Sequence, residues 1–190
     1  MTSLFIHSSI EEEKKYSMGT LSRELESSLE RHTRFTETQI GALVFHDHND
    51  QKYYRNYQFD EDMDIVRRFV TRNLCGEYPP VTLRYFAQNW PELCIIAFTD
   101  THIPIGIIIG QQTEPHVGRI TFFAVEKRVE ANIVYKKLLQ LEVMKMHQIG
   151  IRKVFLKPAD ERMEMKLMRY IGSTGPLRYK DDNGEYQFHI

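Results

Sequence analysis

The chain has 190 residues, with 25 Lys+Arg against 26 Asp+Glu, 42% hydrophobic and 12% aromatic residues, and ten glycines. At ~150 residues per domain this is one globular domain plus a tail, with enough aromatic area for a core, so disorder over the whole length is excluded. A net charge of −1 argues against sequence-specific nucleic-acid or anionic-membrane binding, and the longest apolar run, Ile103 to Gly110, falls far short of the ~20 residues that span a bilayer.

Residues 1–38 are rich in Ser, Thr, Glu, Lys and Arg, which predicts a flexible N-terminal arm before a domain over 39–190. Leu21, Leu25 and Leu29 give the arm one short helical stripe. Leu4-Phe5-Ile6 stands before acidic Glu11-Glu12-Glu13 with no basic flank, so no secretory signal is expected. Cys75 and Cys94 are too few for a disulfide framework or a zinc site, and the expectation is a reduced, cytoplasmic protein with both thiols as packing residues.

Gly41–Phe45 and Tyr53–Phe59 are predicted strands separated by the turn-prone His46-Asp47-His48-Asn49-Asp50. Asp60 is placed to cap a helix over 61–74, with Met63, Val66 and Val70 on one face and Phe69 adjoining. After the loop Cys75 to Pro80 a second helix covers 81–89 and closes at Pro91. Three strands follow, Leu93–Phe98, Ile105–Gly110 and Arg119–Val125, with short connections that predict an antiparallel meander. A long helix over 130–148 carries Val134, Leu138, Leu141 and Met144 inward and Lys136, Lys137 and Lys145 outward, ending at Gly150. Then come a strand over 153–157, a helix over 161–171 capped by Asp160, and a hairpin over 177–190 turning at Asp181-Asp182-Asn183-Gly184.

His46-Asp47-His48 has the look of metal ligands, but no third ligand follows at helical or hairpin spacing, and it is read as a loop with no metal. No nucleophile elbow, phosphate-binding glycine loop or dinucleotide fingerprint occurs.

The run Arg84-Tyr85-Phe86-Ala87-Gln88-Asn89-Trp90-Pro91-Glu92-Leu93-Cys94 resembles a signature of the NatC catalytic subunits, N-terminal protein acetyltransferases of the GNAT superfamily. Asp64-Ile65-Val66-Arg67, Ile105-Gly106, Ala124-Val125-Glu126, Arg178-Tyr179 and Asn183-Gly184 extend the resemblance over about residues 53–190. It implies a GNAT-like α/β fold, a mostly antiparallel twisted sheet with flanking helices. The implied reaction is acetyl transfer from acetyl-CoA to the α-amine of proteins starting Met-hydrophobic. The implied partners are protein N-termini, NatC auxiliary subunits and the ribosome.

Acetyl-CoA is then expected between the strands over 119–125 and 153–157. Its positions are Phe123, Ala124 and Val125 on the first strand, and Glu130, Asn132, Ile133 and Tyr135 where the family has an Arg-x-x-Gly-x-Gly turn. An anion can approach backbone amides at a helix start where no Cβ intervenes, and no glycine occurs between Gly118 and Gly150. The family's acidic residue falls at Leu156, its general-acid Tyr at Met168 and its Asn at Glu161, so no catalytic residue is assigned. Glu77, Tyr78 and Tyr179 match the peptide slot, with Glu77 one position off the family's loop Glu. Two functions follow, a divergent acetyltransferase and a catalytically inactive pseudoenzyme that binds peptides or subunits.

Overall fold

The computed structural model describes residues 42–58, 60–73, 78–126, 131–171 and 177–190. The arm over 1–38 with its Leu stripe, Glu77, Cys75 and Glu130 lie outside the described residues. The elements run β1 (Leu43–Asp47), β2 (Lys52–Asn56), α1 (Asp60–Asn73), α2 (Pro80–Asn89), a 3-10 turn (Pro91–Leu93), β3 (Cys94–Thr99), β4 (Pro104–Glu114) and β5 (Val117–Val125). They continue with α3 (Ala131–Gln148), β6 (Lys153–Leu156), α4 (Glu161–Ile171), β7 (Leu177–Lys180) and β8 (Tyr186–His189). One sheet orders them β1-β2-β3-β4-β5-β6-β8-β7, antiparallel throughout except for β5 with β6. The expected mostly antiparallel α/β architecture is therefore present.

In β3, Cys94 to Phe98 are all buried without alternation, which requires cover on both faces of the sheet. On one face Ile95, Ala97 and Ile108 join Val134, Leu138 and Leu141 of α3 and Met163 and Leu167 of α4. Gly106 lets α3 sit close, since a Cβ there would come within 3.0 Å of Leu138 and 3.2 Å of Val134. On the other face the Arg55 guanidinium lies 4.7 Å from the Phe98 ring and pairs with Asp62 of α1.

Several expected boundaries and roles shift. The first strand runs to Asp47, so His46 and Asp47 belong to β1 and the turn starts at His48. The Asp47 carboxylate accepts from the Asn49 and Asp50 amides, the Asx geometry that makes the turn. Helix α1 begins at Asp60 itself, and Asp62 rather than Asp60 takes a preceding backbone amide, that of Gln58. Met144 is 42% exposed rather than in the core, with Met146 buried in its place. At ~100° per residue Met144 sits about 280° around from Val134, whereas Met146 sits at about 120°, on the same side as Leu138. Lys137 seats its ammonium 3.8 Å from the Phe45 ring centroid and so is no simple solvated charge. Asp160 caps α4 as expected, accepting from the Met163 amide. Gly150 ends α3 at φ +89° and Gly184 turns the last hairpin at φ +75°, backbone that suits glycine.

Candidate functional site

Strands β5 and β6 pair only over Val117–Ile120 against Lys153–Leu156. Beyond this, Thr121–Val125 bonds to β4 on one edge, and among the described residues its other edge faces no strand. The cause lies in the register. Ile109 opposes Phe122 while Gly110 opposes Ile120, so Thr121 is an extra residue, a bulge that bends β5 at the point where β6 stops. Gln111 holds the bulge by donating to the Thr121 hydroxyl at 3.2 Å. Pro158, two residues after β6, has no N–H with which to extend the ladder. The result is a split with a strand edge available to an extended amide-bearing chain.

Phe123, Ala124 and Val125 lie buried along this edge. The Tyr135 ring packs against Phe123, centroids 4.3 Å apart, so its bulk turns into the core instead of crowding the start of α3. Tyr135 shares the buried stripe with Val134 and Leu138 because it lies only ~100° from Val134. Asn132 and Ile133 are exposed in the first turn of α3, and that turn carries no glycine. The site thus fits the amide-bearing arm of an acyl-CoA along β5, and does not offer a diphosphate the Cβ-free approach it needs.

Leu156 and Met168, the two positions at which the resemblance expects an acidic residue and a Tyr, carry apolar side chains. Leu156 is 1% exposed and sits opposite Tyr186 across β6 and β8, and Met168 is 51% exposed on α4. Neither side chain can donate or accept a proton in place of a carboxylate or phenol. Glu161, at the family's Asn position, is an exposed residue at the start of α4. On α4, Glu164 accepts from the Tyr186 hydroxyl and from Lys180 Nζ at 2.5 Å. These bonds, Lys180 first, hold the Glu164 carboxyl below its usual range, and the same carboxylate pushes the Tyr186 phenol up. The cluster ties α4 to the final hairpin.

On the acceptor side, Tyr78 is 38% exposed and meets the Phe122 ring of β5 edge-on at 5.0 Å. Phe122 in turn meets Phe86 at 5.6 Å, and Phe86 meets Trp90 at 6.4 Å. This aromatic row fixes Tyr78 against the strand that borders the split. Tyr179 has its backbone in β7 opposite Gln187, and its side chain is outside the described residues. The structure therefore brings Tyr78 to β5. Phe122 was not singled out by sequence reasoning, although strand alternation carried the signal: with Phe123 facing α3, Phe122 must face α2.

The His46-Asp47-His48 motif meets other partners in space. His46 Nε2 lies 3.5 Å from Asp100, the His46 and His48 rings are 4.1 Å apart, and the Tyr53 hydroxyl bonds His102 Nδ1 at 2.6 Å. Burial pushes the Tyr53 phenol up to about 12. Cys94 is a buried packing thiol, also pushed up by burial.

No family model matches the chain. It is similar to N-alpha-acetyltransferase 30 of Dictyostelium discoideum, 26% identical over 107 residues, covering 55% of this chain and 57% of that protein. N-alpha-acetyltransferase 30 of Saccharomyces cerevisiae is 28% identical over 107 residues, covering 52% and 60%. The matched region spans under two thirds of the length of these relatives. A solved structure of the NatC complex bound to Gag peptide and CoA shares the fold at TM-score 0.60 and 23% identity, over 73% of this chain and 96% of that one. The matches thus give similarity to N-alpha-acetyltransferase 30 over about half of the chain, and the shared fold with the NatC structure.

Proposed function

We propose that this NatC-type GNAT chain is a binding module for protein N-termini of the Met-hydrophobic kind, with acetyl transfer lost through its substituted catalytic and cofactor positions. The observation that carries the reading is Tyr78 set on Phe122 beside the split, together with apolar side chains, buried Leu156 and exposed Met168, where the family's acidic residue and Tyr are expected. Glu77, Tyr78 and Tyr179 line the peptide slot. The domain over 39–190 carries the binding, with NatC-type auxiliary subunits and the ribosome as the partners the family implies, in the cytoplasm.

Acetyl-CoA is the family's cosubstrate, and when bound it would supply the activated acetyl group. Phe123, Ala124 and Val125 would hold its amide-bearing arm along the β5 edge. Glu130, Asn132, Ile133 and Tyr135 stand where its diphosphate would need a glycine turn, so these positions offer it no close backbone approach. A working, divergent acetyltransferase is the second reading, favoured by the retained split between β5 and β6. In that reading the positioning of amine and thioester supplies most of the rate.

Calorimetric titration separates the two. The module binds a Met-Leu peptide, loses it on Tyr78→Ala, and shows no heat with acetyl-CoA. Acetylation of that peptide, abolished by Tyr78→Ala, would instead establish the enzyme.

A further inference from the structure

Glu142 is the one acidic side chain in the buried stripe of α3, fully buried, and among the described residues neither of its carboxyl oxygens has a hydrogen-bond partner. A buried carboxylate with no partner is one of the most costly arrangements a core can hold, whereas the neutral acid costs far less. The chain makes a place for it. Gly110 of β4 faces Glu142, and a Cβ on Gly110 would collide with Glu142 Oε1 and Met146 Cε and stand 3.3 Å from Glu142 Cδ. A strand glycine at the centre of a sheet normally costs stability, so a close approach is what justifies it here.

We infer that Glu142 and Gly110 form a protonation latch, in which α3 seats on β4 only while the Glu142 side chain is the neutral acid and lifts when it ionises. The groups that bear on Glu142 all disfavour or barely aid ionisation. Burial comes first and raises its pKa well above the usual value. The Glu92 carboxylate in the 3-10 turn raises it further, and among the described residues Lys145 on α3 itself lowers it. On β3 burial likewise pushes the Cys94 thiol up and favours its neutral form, and β4 presents Gly110, with no charge, at the contact. Because α3 also carries Asn132, Ile133 and Tyr135 at its other end, lifting it disturbs the β5–β6 split. The latch does not depend on the chain being an enzyme or a peptide binder.

The sign is set by the raised native value. Glu142's share of stability is complete below the ordinary carboxyl range and is lost as pH rises toward its native value, by about tenfold in the folding equilibrium per pH unit. The test is urea unfolding of the full chain and of Glu142→Gln from pH 5 to 9, together with the isotope-edited infrared carboxyl band at neutral pH. A protonated-acid band in the wild type that is absent from Glu142→Gln, with a flattened pH slope in the variant, is the expected result. An ionised band, or the same slope in both proteins, overturns the inference. Gly110→Ala provides a second arm. It weakens folding at least tenfold alone and much less in combination with Glu142→Ala, and equal effects in both backgrounds would show that the two residues do not share a niche.

Discussion

Arg55 and Asp62 show how a pair of single residues can lock two elements. Both are buried, and the guanidinium meets the carboxylate twice, at 2.6 and 2.8 Å, while Asp62 also accepts from the Gln58 amide at 2.7 Å. Removing one partner strands the other charge in the core, so Asp62→Ala is expected to cost ~3–5 kcal/mol by chemical denaturation. Tyr78 contrasts with it. Its ring is partly exposed and leans on Phe122, so Tyr78→Ala should cost under ~1 kcal/mol of stability while raising the Met-Leu peptide Kd at least tenfold in calorimetry. The roles of these residues were unequally legible. Phe86 and Trp90 are conspicuous in the sequence, whereas alternation gives Phe122 a face but only its contacts with Phe86 and Tyr78 give it a role. Glu142 lies about 80° from Val134 around α3, in the middle of an apolar stripe. Its charge is that of an ordinary surface residue, while the side chains around it on the helix, Leu138, Leu139, Leu141 and Met146, are buried.

Among the elements, α3 and α4 are bounded by caps that the sequence announces. Gly150 at φ +89° lets the Ile151 amide reach the Met146 carbonyl at 3.0 Å, so Gly150→Ala should destabilise by ~1–2 kcal/mol, measured as a drop in the urea midpoint. Helix α4 is joined to the last hairpin through Glu164, Lys180 and Tyr186. Since Glu164's native pKa is depressed, this tie contributes above the ordinary carboxyl range and is lost as pH falls through the native value. Lys180→Ala should therefore weaken the acid dependence of hydrogen exchange in α4 and β8, and an unchanged profile would count against the tie. The strand β4 runs to Glu114, well past the apolar run that ends at Gly110, because its polar end is paired with β5 as far as Val117. Hydropathy marks burial, and the ladder extends wherever backbone partners exist.

At the scale of the whole molecule, the pairing of β5 with β6 stops after Ile120 among the described residues, and that split is the candidate site. If acetyl-CoA bound in the split, a concentration of ~100 Kd would raise unfolding stability by about 2.7 kcal/mol. The proposed module predicts no such shift in a thermal melt, and a clear rise would favour the enzyme. The sequence by itself determined the order of elements, the capping residues Asp160 and Gly150, the apolar side chains at Leu156 and Met168, and the absence of glycine between Gly118 and Gly150. Those are local properties, fixed by side-chain identity and by the φ each residue tolerates. Only the tertiary structure decided that Tyr135 turns inward onto Phe123, that Tyr78 is set on Phe122, that Lys137 covers Phe45, and that an acid is enclosed opposite Gly110. Each of these joins residues distant in sequence. A helix or strand pattern specifies which face is buried, and the register between elements specifies what that face meets.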